Sequence, residues 1–126
     1  MSVRGAVIVA IDDTPSIRTF LRVSLQDEGA DFHEAATAES GLELCRRLGP
    51  DLVVLDLGLP DVDGLEILPK IKALAYGGHK PYVVVLTVRK GKETISEAYQ
   101  RGADAYLTKP FMVEDLIEII EEKLAA

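Results

Sequence analysis

Residues 52–56 read LVVLD, an apolar run from Leu52 to Leu55 closed by the carboxylate of Asp56. The run has the form of a buried strand. Residues 7–13, VIVAIDD, repeat that form, with Asp12 and Asp13 following Val7 to Ile11. Three carboxylates therefore gather at one end of a sheet, and two of them about 5 Å apart at an effective dielectric near 20 repel by roughly 3 kcal/mol. A cation, a raised pKa or another use must offset the cluster.

Working outward, five β-rich runs are expected at Ala6–Ile11, Asp31–Ala35, Leu52–Asp56, Tyr82–Thr87 and Ala105–Leu107, alternating with stretches of helical period. Thr14 can cap the first helix and Pro15 suits its first turn. Ile17, Phe20, Leu21 and Leu25 share a face, and Gly29 ends it. The second helix should run from about Ala38 to Leu48, burying Leu42 and Cys45, with Gly49-Pro50 as its stop. The third follows Asp63-Gly64 with Leu65, Leu68 and Ile71 inward, and Pro69 predicts a kink or a late start. The fourth, about Lys92 to Arg101, has the weakest pattern, with only Ile95, Ala98 and Tyr99 as anchors. In the fifth, about Val113 to Leu124, the stripe is Val113, Leu116, Ile117 and Ile120, and Ile119 lies off it as a candidate interaction face. Tyr76-Gly77-Gly78-His79 reads as a flexible loop.

Nearly all-apolar strands separated by helices predict an α/β fold, a doubly wound five-stranded parallel sheet of (βα)5 form in a three-layer sandwich. One domain over residues 1–126 is expected, because this length can bury roughly two-thirds of its extended surface. The formal charge of -7, from 14 basic and 21 acidic residues, disfavours a backbone-reading nucleic-acid binder. The lone Cys45 cannot form an internal disulfide, the N-terminal stretch lacks a signal-peptide pattern, and no run approaches the roughly 18 apolar residues of a membrane span. Cytoplasmic residence without membrane insertion is the resulting expectation.

In such sheets ligands bind beyond the carboxyl ends of the strands, where Asp12, Asp13, Asp56 and Thr87 all fall. Each has an ordinary reading too. Acidic residues suit a helix start, Asp56 could cap a turn, and a β-branched residue belongs at a strand end. Lys109, before Pro110 at the end of the fifth strand, supplies the positive charge the crevice lacks. Arg89, Lys90 and Lys92 crowd the loop after the fourth strand, with a solvated loop favoured over attraction of an acidic partner. His33 and His79 form no metal spacing with each other or with Cys45.

Together the stretches VIVAIDDTPSIR, LVVLDLGLPDVDGLEIL, VVVLT and GADAYLTKPF resemble the receiver domain of two-component response regulators across essentially the whole chain. The resemblance implies the flavodoxin-like strand order 2-1-3-4-5. It also implies Asp56 as phosphoacceptor, Asp12 and Asp13 with Asp56 and the Gly58 backbone carbonyl as ligands of Mg²⁺ or Mn²⁺, and Thr87 and Lys109 as phosphoryl contacts. Thr87 and Tyr106 become switch residues, with Tyr106 turning in behind the Thr87 hydroxyl, and Lys109-Pro110 resembles the family's cis peptide. The implied donor is a sensor histidine kinase or a histidine phosphotransfer protein. Change is expected on the fourth helix, fifth strand and fifth helix, where a homodimer, a downstream target or a fused output domain could listen.

Val88 is bulkier than the Ala or Gly common after that Thr in the family, which predicts a longer-lived phosphoryl state. A haloacid-dehalogenase-like phosphohydrolase would want Asp where Gly58 stands, and neither glycine-rich phosphate-loop motif occurs. A receiver-like module that works by contact alone, without phosphorylation, would have little reason to keep every site residue. No second domain follows Leu124-Ala125-Ala126, which leaves open a stand-alone receiver or a piece of a longer regulator.

Overall fold

The computed structural model describes residues 2–74 and 79–125. Its elements alternate as β1 (Val7–Ile11), α1 (Pro15–Asp27), β2 (Asp31–Ala35), α2 (Ala38–Leu48), β3 (Leu52–Leu55), α3 (Gly64–Ala73), β4 (Tyr82–Thr87), α4 (Lys92–Gln100), β5 (Ala105–Thr108) and α5 (Val113–Ala125). The strands form one parallel sheet in the order β2-β1-β3-β4-β5. This is the expected flavodoxin-like order. Strand boundaries differ from the sequence expectation by a residue at most, and the loop expected at 76–78 lies outside the described residues.

Successive strand side chains point to opposite faces, so each apolar strand feeds two cores. Ile8, Ala10, Leu52, Val54, Val84 and Leu86 pack with Leu21 and Leu25 of α1 and Leu116, Ile120 and Leu124 of α5. Val9, Ile11, Val53, Leu55, Val83 and Val85 pack with α2 and α3 and with Ala98 of α4. The result is three layers. Burial of a Leu or Ile side chain contributes about 1.5–3 kcal/mol, and α4 has no such group fully inside. Its one buried residue is Ala98, and Tyr99, expected as an anchor, is exposed.

Helix termini show which local signals operate. Thr14 occupies the N-cap of α1 but makes no side-chain capping bond; its own N–H donates to Asp12 Oδ1 at 2.9 Å. Phe20, expected inward, stands 44% exposed and meets Phe111 edge-on at 5.9 Å. Ile119, expected outward as a contact face, rests partly buried on the α1–α5 core. Thr37 and Ser40 form a capping box at α2, and Gly49 closes that helix in the left-handed region at φ 59°. Cys45 is fully buried, and burial pushes its thiol up to about 12, which suits a core role.

Asp61, from the loop after β3, adds a second cap to α2 by accepting from the N–H groups of Ala38 at 2.9 Å and Glu39 at 3.0 Å. Those two bonds hold its carboxyl below the usual range. A folded pKa below the unfolded value of about 3.9 contributes stability above that pH and loses it as the pH falls through the folded value. Asp61→Asn is therefore expected to unfold at lower urea than the parent at neutral pH. The gap should narrow as the same melts are taken to pH values below the unfolded pKa of about 3.9.

Helix α3 starts directly after Asp63, whose carboxylate accepts from the Leu65 N–H at 2.9 Å, and runs unbroken through Pro69. No late start occurs. Pro69 has no N–H for the carbonyl of Leu65 four residues back. That oxygen instead accepts from Arg101 Nη1 at 2.9 Å. At the head of α3, a Cβ on Gly64 would lie 2.6 Å from both the Asp56 carbonyl oxygen and Leu57 Cα, so only glycine lets this helix abut the end of β3.

Candidate functional site

Backbone pairing continues one residue past three strands and sets the site. Asp12 N–H donates to Ala35 O at 3.0 Å, Asp56 N–H to Ile11 O at 2.9 Å and Lys109 N–H to Thr87 O at 2.8 Å. The ends of β1, β3, β4 and β5 thus lie side by side at the carboxyl edge of the sheet. Asp12, Asp56 and Thr87 are the buried polar residues among those described, at 3%, 6% and 0% exposure. Asp13 is exposed.

One ligand oxygen from each of Asp12, Asp13 and Asp56 falls within 4.8 Å of the others, and neither histidine nor Cys45 joins that group. Lys109 Nζ bridges the two buried carboxylates, 2.7 Å from Asp12 Oδ2 and 3.3 Å from Asp56 Oδ2. The remaining oxygens are partly satisfied by backbone. Asp12 Oδ1 accepts from Thr14 N–H, and Asp56 Oδ1 accepts from Gly58 N–H at 3.2 Å. One ammonium against three carboxylates leaves the cluster with an excess of negative charge. An all-oxygen donor set with that charge fits a hard dication such as Mg²⁺ or Mn²⁺. The Lys109–Pro110 peptide bond is cis.

On the β4 side, Thr87 Oγ1 accepts from Arg89 N–H at a long 3.5 Å, and the Tyr106 hydroxyl donates to the Arg89 carbonyl at 2.9 Å. Burial raises the Tyr106 hydroxyl above its ordinary pKa, with the Arg89 charge opposing and the Asp56 charge adding. The Tyr106 ring is partly buried and packs against the α2–α3 core. Arg89 is not the solvated loop residue expected. It is half-buried and its Nη1 contacts both oxygens of Asp63, at 3.2 and 3.0 Å. Lys90 and Lys92 are exposed, as a solvated loop would have them.

Two residues of the site were missed. Arg18 Nη1 donates to the Asp12 carbonyl at 2.8 Å while its Nε pairs with Glu34, so α1 buttresses the end of β1. Asp63, which the sequence marks only as preceding the third helix, joins the head of α3 to the loop after β4. No periodic signal marks either one. Arg18 follows Asp12 by six residues and Arg89 follows Asp63 by 26, and only the fold brings the partners together.

A five-stranded 2-1-3-4-5 sheet with an acidic cluster, a hydroxyl and a lysine along its carboxyl edge defines a receiver-type α/β protein. The chain belongs to the response regulator receiver domain family, whose model matches residues 8–121. It is 37% identical over 122 residues to the nitrate/nitrite response regulator protein NarL of Escherichia coli (strain K12), covering 95% of this chain and 55% of that protein. The chain thus spans about half the length of that relative. It is 31% identical over 119 residues to the chemotaxis protein CheY of Halobacterium salinarum, covering 94% of this chain and 97% of CheY.

Among solved structures, the CheY-like response regulator receiver domain protein from Methanospirillum hungatei JF-1 superposes with a TM-score of 0.89. It shares 33% identity over 96% of this chain and 94% of its own. The BeF3-activated DrrB receiver domain superposes at 0.84 with 30% identity, over 97% and 99% of the two chains. The family is a regulatory module, the receiver domain of response regulators. No helix among the described residues is long and apolar enough to cross a membrane.

Proposed function

We propose that residues 1–126 act as one receiver unit that takes a phosphoryl group onto Asp56 from a phosphohistidine of a sensor histidine kinase or a histidine phosphotransfer protein. One observation carries this reading. Asp56 is a buried carboxylate that shares the Lys109 ammonium with Asp12 at the carboxyl edge of the sheet. Asp12, Asp13, Asp56 and the Gly58 carbonyl are the groups that would hold Mg²⁺ or Mn²⁺. When bound, such an ion neutralises the carboxylates and the charge on phosphoryl oxygens.

An Asp56 carboxylate oxygen attacks phosphorus, the O–P bond forms, and the P–N bond to the donor imidazole breaks with its electron pair returning to nitrogen. Lys109 then carries its ammonium from Asp56 Oδ2 to an adjoining phosphoryl oxygen, a short step from 3.3 Å. Thr87 accepts from Arg89 N–H and so keeps its own hydroxyl proton for a phosphoryl oxygen. Drawing Thr87 toward Asp56 pulls the loop that follows β4. Because the Tyr106 hydroxyl is tied to the Arg89 carbonyl, Tyr106 follows the loop. The changed surface is α4, β5 and α5, where a target, an output domain or a second copy would read it. The acidic balance disfavours direct nucleic-acid contact, and the cytoplasm is the setting in which such a donor would be met.

Incubation with Mg²⁺ and phosphoramidate, which carries a P–N bond like phosphohistidine, is expected to add one phosphoryl group by intact mass, and none when EDTA replaces the metal. Unchanged mass in Mg²⁺ would sink the proposal. Val88 follows Thr87 with 66% of its surface exposed, and its bulk is expected to hinder water. Val88→Ala should therefore lose the label faster than the parent in a timed mass series. Equal decay removes Val88 from the account.

A further inference from the structure

Two arginines bracket α4, and both end on the first turn of α3. Arg89, just ahead of α4, pairs with Asp63, and Arg101, just after it, donates to the Leu65 carbonyl. The two anchorages differ in kind. Asp63 is a half-exposed carboxylate whose guanidinium partner sits two residues past Thr87, whereas the Leu65 carbonyl is a helical acceptor whose usual donor is missing because residue 69 is proline. Arg101 also pairs with Glu97 of α4 through Nη2 at 2.8 Å, so the guanidinium clasps the last turn of one helix to the first turn of another. The turn behind it is tight. A Cβ on Gly102, at φ 117°, would come within 2.8 Å of Lys72 Cγ on α3.

We propose that α4 pivots about Arg101, seated on the carbonyl that Pro69 leaves open, and that its N-terminal end is released when the Arg89–Asp63 pair opens. The N-terminal end is the weaker one, because Gly91 provides no side-chain cap and the helix buries only Ala98. The opening step rests on the phosphoacceptor reading above. A phosphoryl group on Asp56 adds charge and bidentate acceptor oxygens, which compete with the half-exposed Asp63 for the guanidinium two residues past Thr87. Nothing comparable competes for Arg101. The helix therefore swings rather than shifts, with its largest displacement at Lys92.

Amide exchange followed by NMR tests both ends. The reporters at the pivot are the N–H groups of Arg101, Gly102 and Ala103, bonded to Glu97, Tyr99 and Ala98 carbonyls, and the reporter at the free end is Ile95, bonded to Gly91 O. In the unphosphorylated protein, Arg101→Met is expected to speed exchange at the three pivot amides by about tenfold, the effect of losing a hydrogen bond to a charged donor. Glu97→Gln, which spares the Leu65 contact, should leave most of the protection. Pro69→Ala returns a helical N–H to the place the guanidinium takes, and should speed the same amides without lowering the urea midpoint. Parent-like exchange in both Arg101→Met and Pro69→Ala overturns the pivot.

After phosphoramidate and Mg²⁺, Ile95 should exchange faster while the three pivot amides hold, and equal change at both ends overturns the swing. Absence of added mass would instead overturn the phosphoacceptor reading. The measurements on the unphosphorylated variants would still decide the role of Arg101.

Discussion

Asp56→Asn is expected to emerge from the phosphoramidate incubation with no added mass, while the parent gains one phosphoryl group. The carboxamide has nearly the shape of the carboxylate and can still accept from Gly58 N–H, as Asp56 Oδ1 does at 3.2 Å. What it lacks is the anionic oxygen that attacks phosphorus. Stability should be kept, because removing one of three clustered carboxylates relieves roughly 3 kcal/mol of repulsion per pair at about 5 Å, which offsets the lost contact with Lys109. A folded, unlabelled variant therefore reports chemistry rather than collapse. Label persisting in Asp56→Asn would move the acceptor to Asp12 or Asp13 and sink the assignment.

Lys109→Met is expected to be the most destabilising single change at the site. The side chains of Lys109, Asp12 and Asp56 are 12%, 4% and 8% exposed, so this ion pair is far from the screened surface pairs that contribute little. Methionine fills the volume and leaves two buried carboxylates facing each other without their cation. Removing one partner of a buried pair costs about 3–5 kcal/mol. Urea melts in EDTA at neutral pH should show this loss. Added Mg²⁺ should recover part of it, since a ligand held by the folded chain alone stabilises by mass action. A variant as stable as the parent in EDTA would mean that the ammonium does not offset the cluster.

Much of the fold could be read from local pattern. The runs LVVL and VIVAI are too apolar for any place but a two-sided sheet, and Gly29 and Gly49 take positive φ at the ends of helices, as their positions suggested. Misreadings fell where side chains sit at the margin of burial. Phe20 and Tyr99 share helical faces with core residues, yet both stand exposed. Ile119 erred the other way, being off the stripe but close enough to the α1–α5 core to be covered.

The sequence by itself determined the strand ends, because residue order alone places Asp12, Asp13, Asp56, Thr87 and Lys109 immediately after or at the close of apolar runs. Parallel pairing then carries every such end to the same edge. Only the tertiary structure decided which charges meet across that edge. Lys109 lies 97 residues from Asp12 and 53 from Asp56, and spacing of that size encodes no contact. The same holds for Arg101 on the Leu65 carbonyl. Pro69 announced a gap in the helix from sequence, but its filling depends on where α4 ends in space, since a hydrogen bond is satisfied by distance and direction and not by order along the chain.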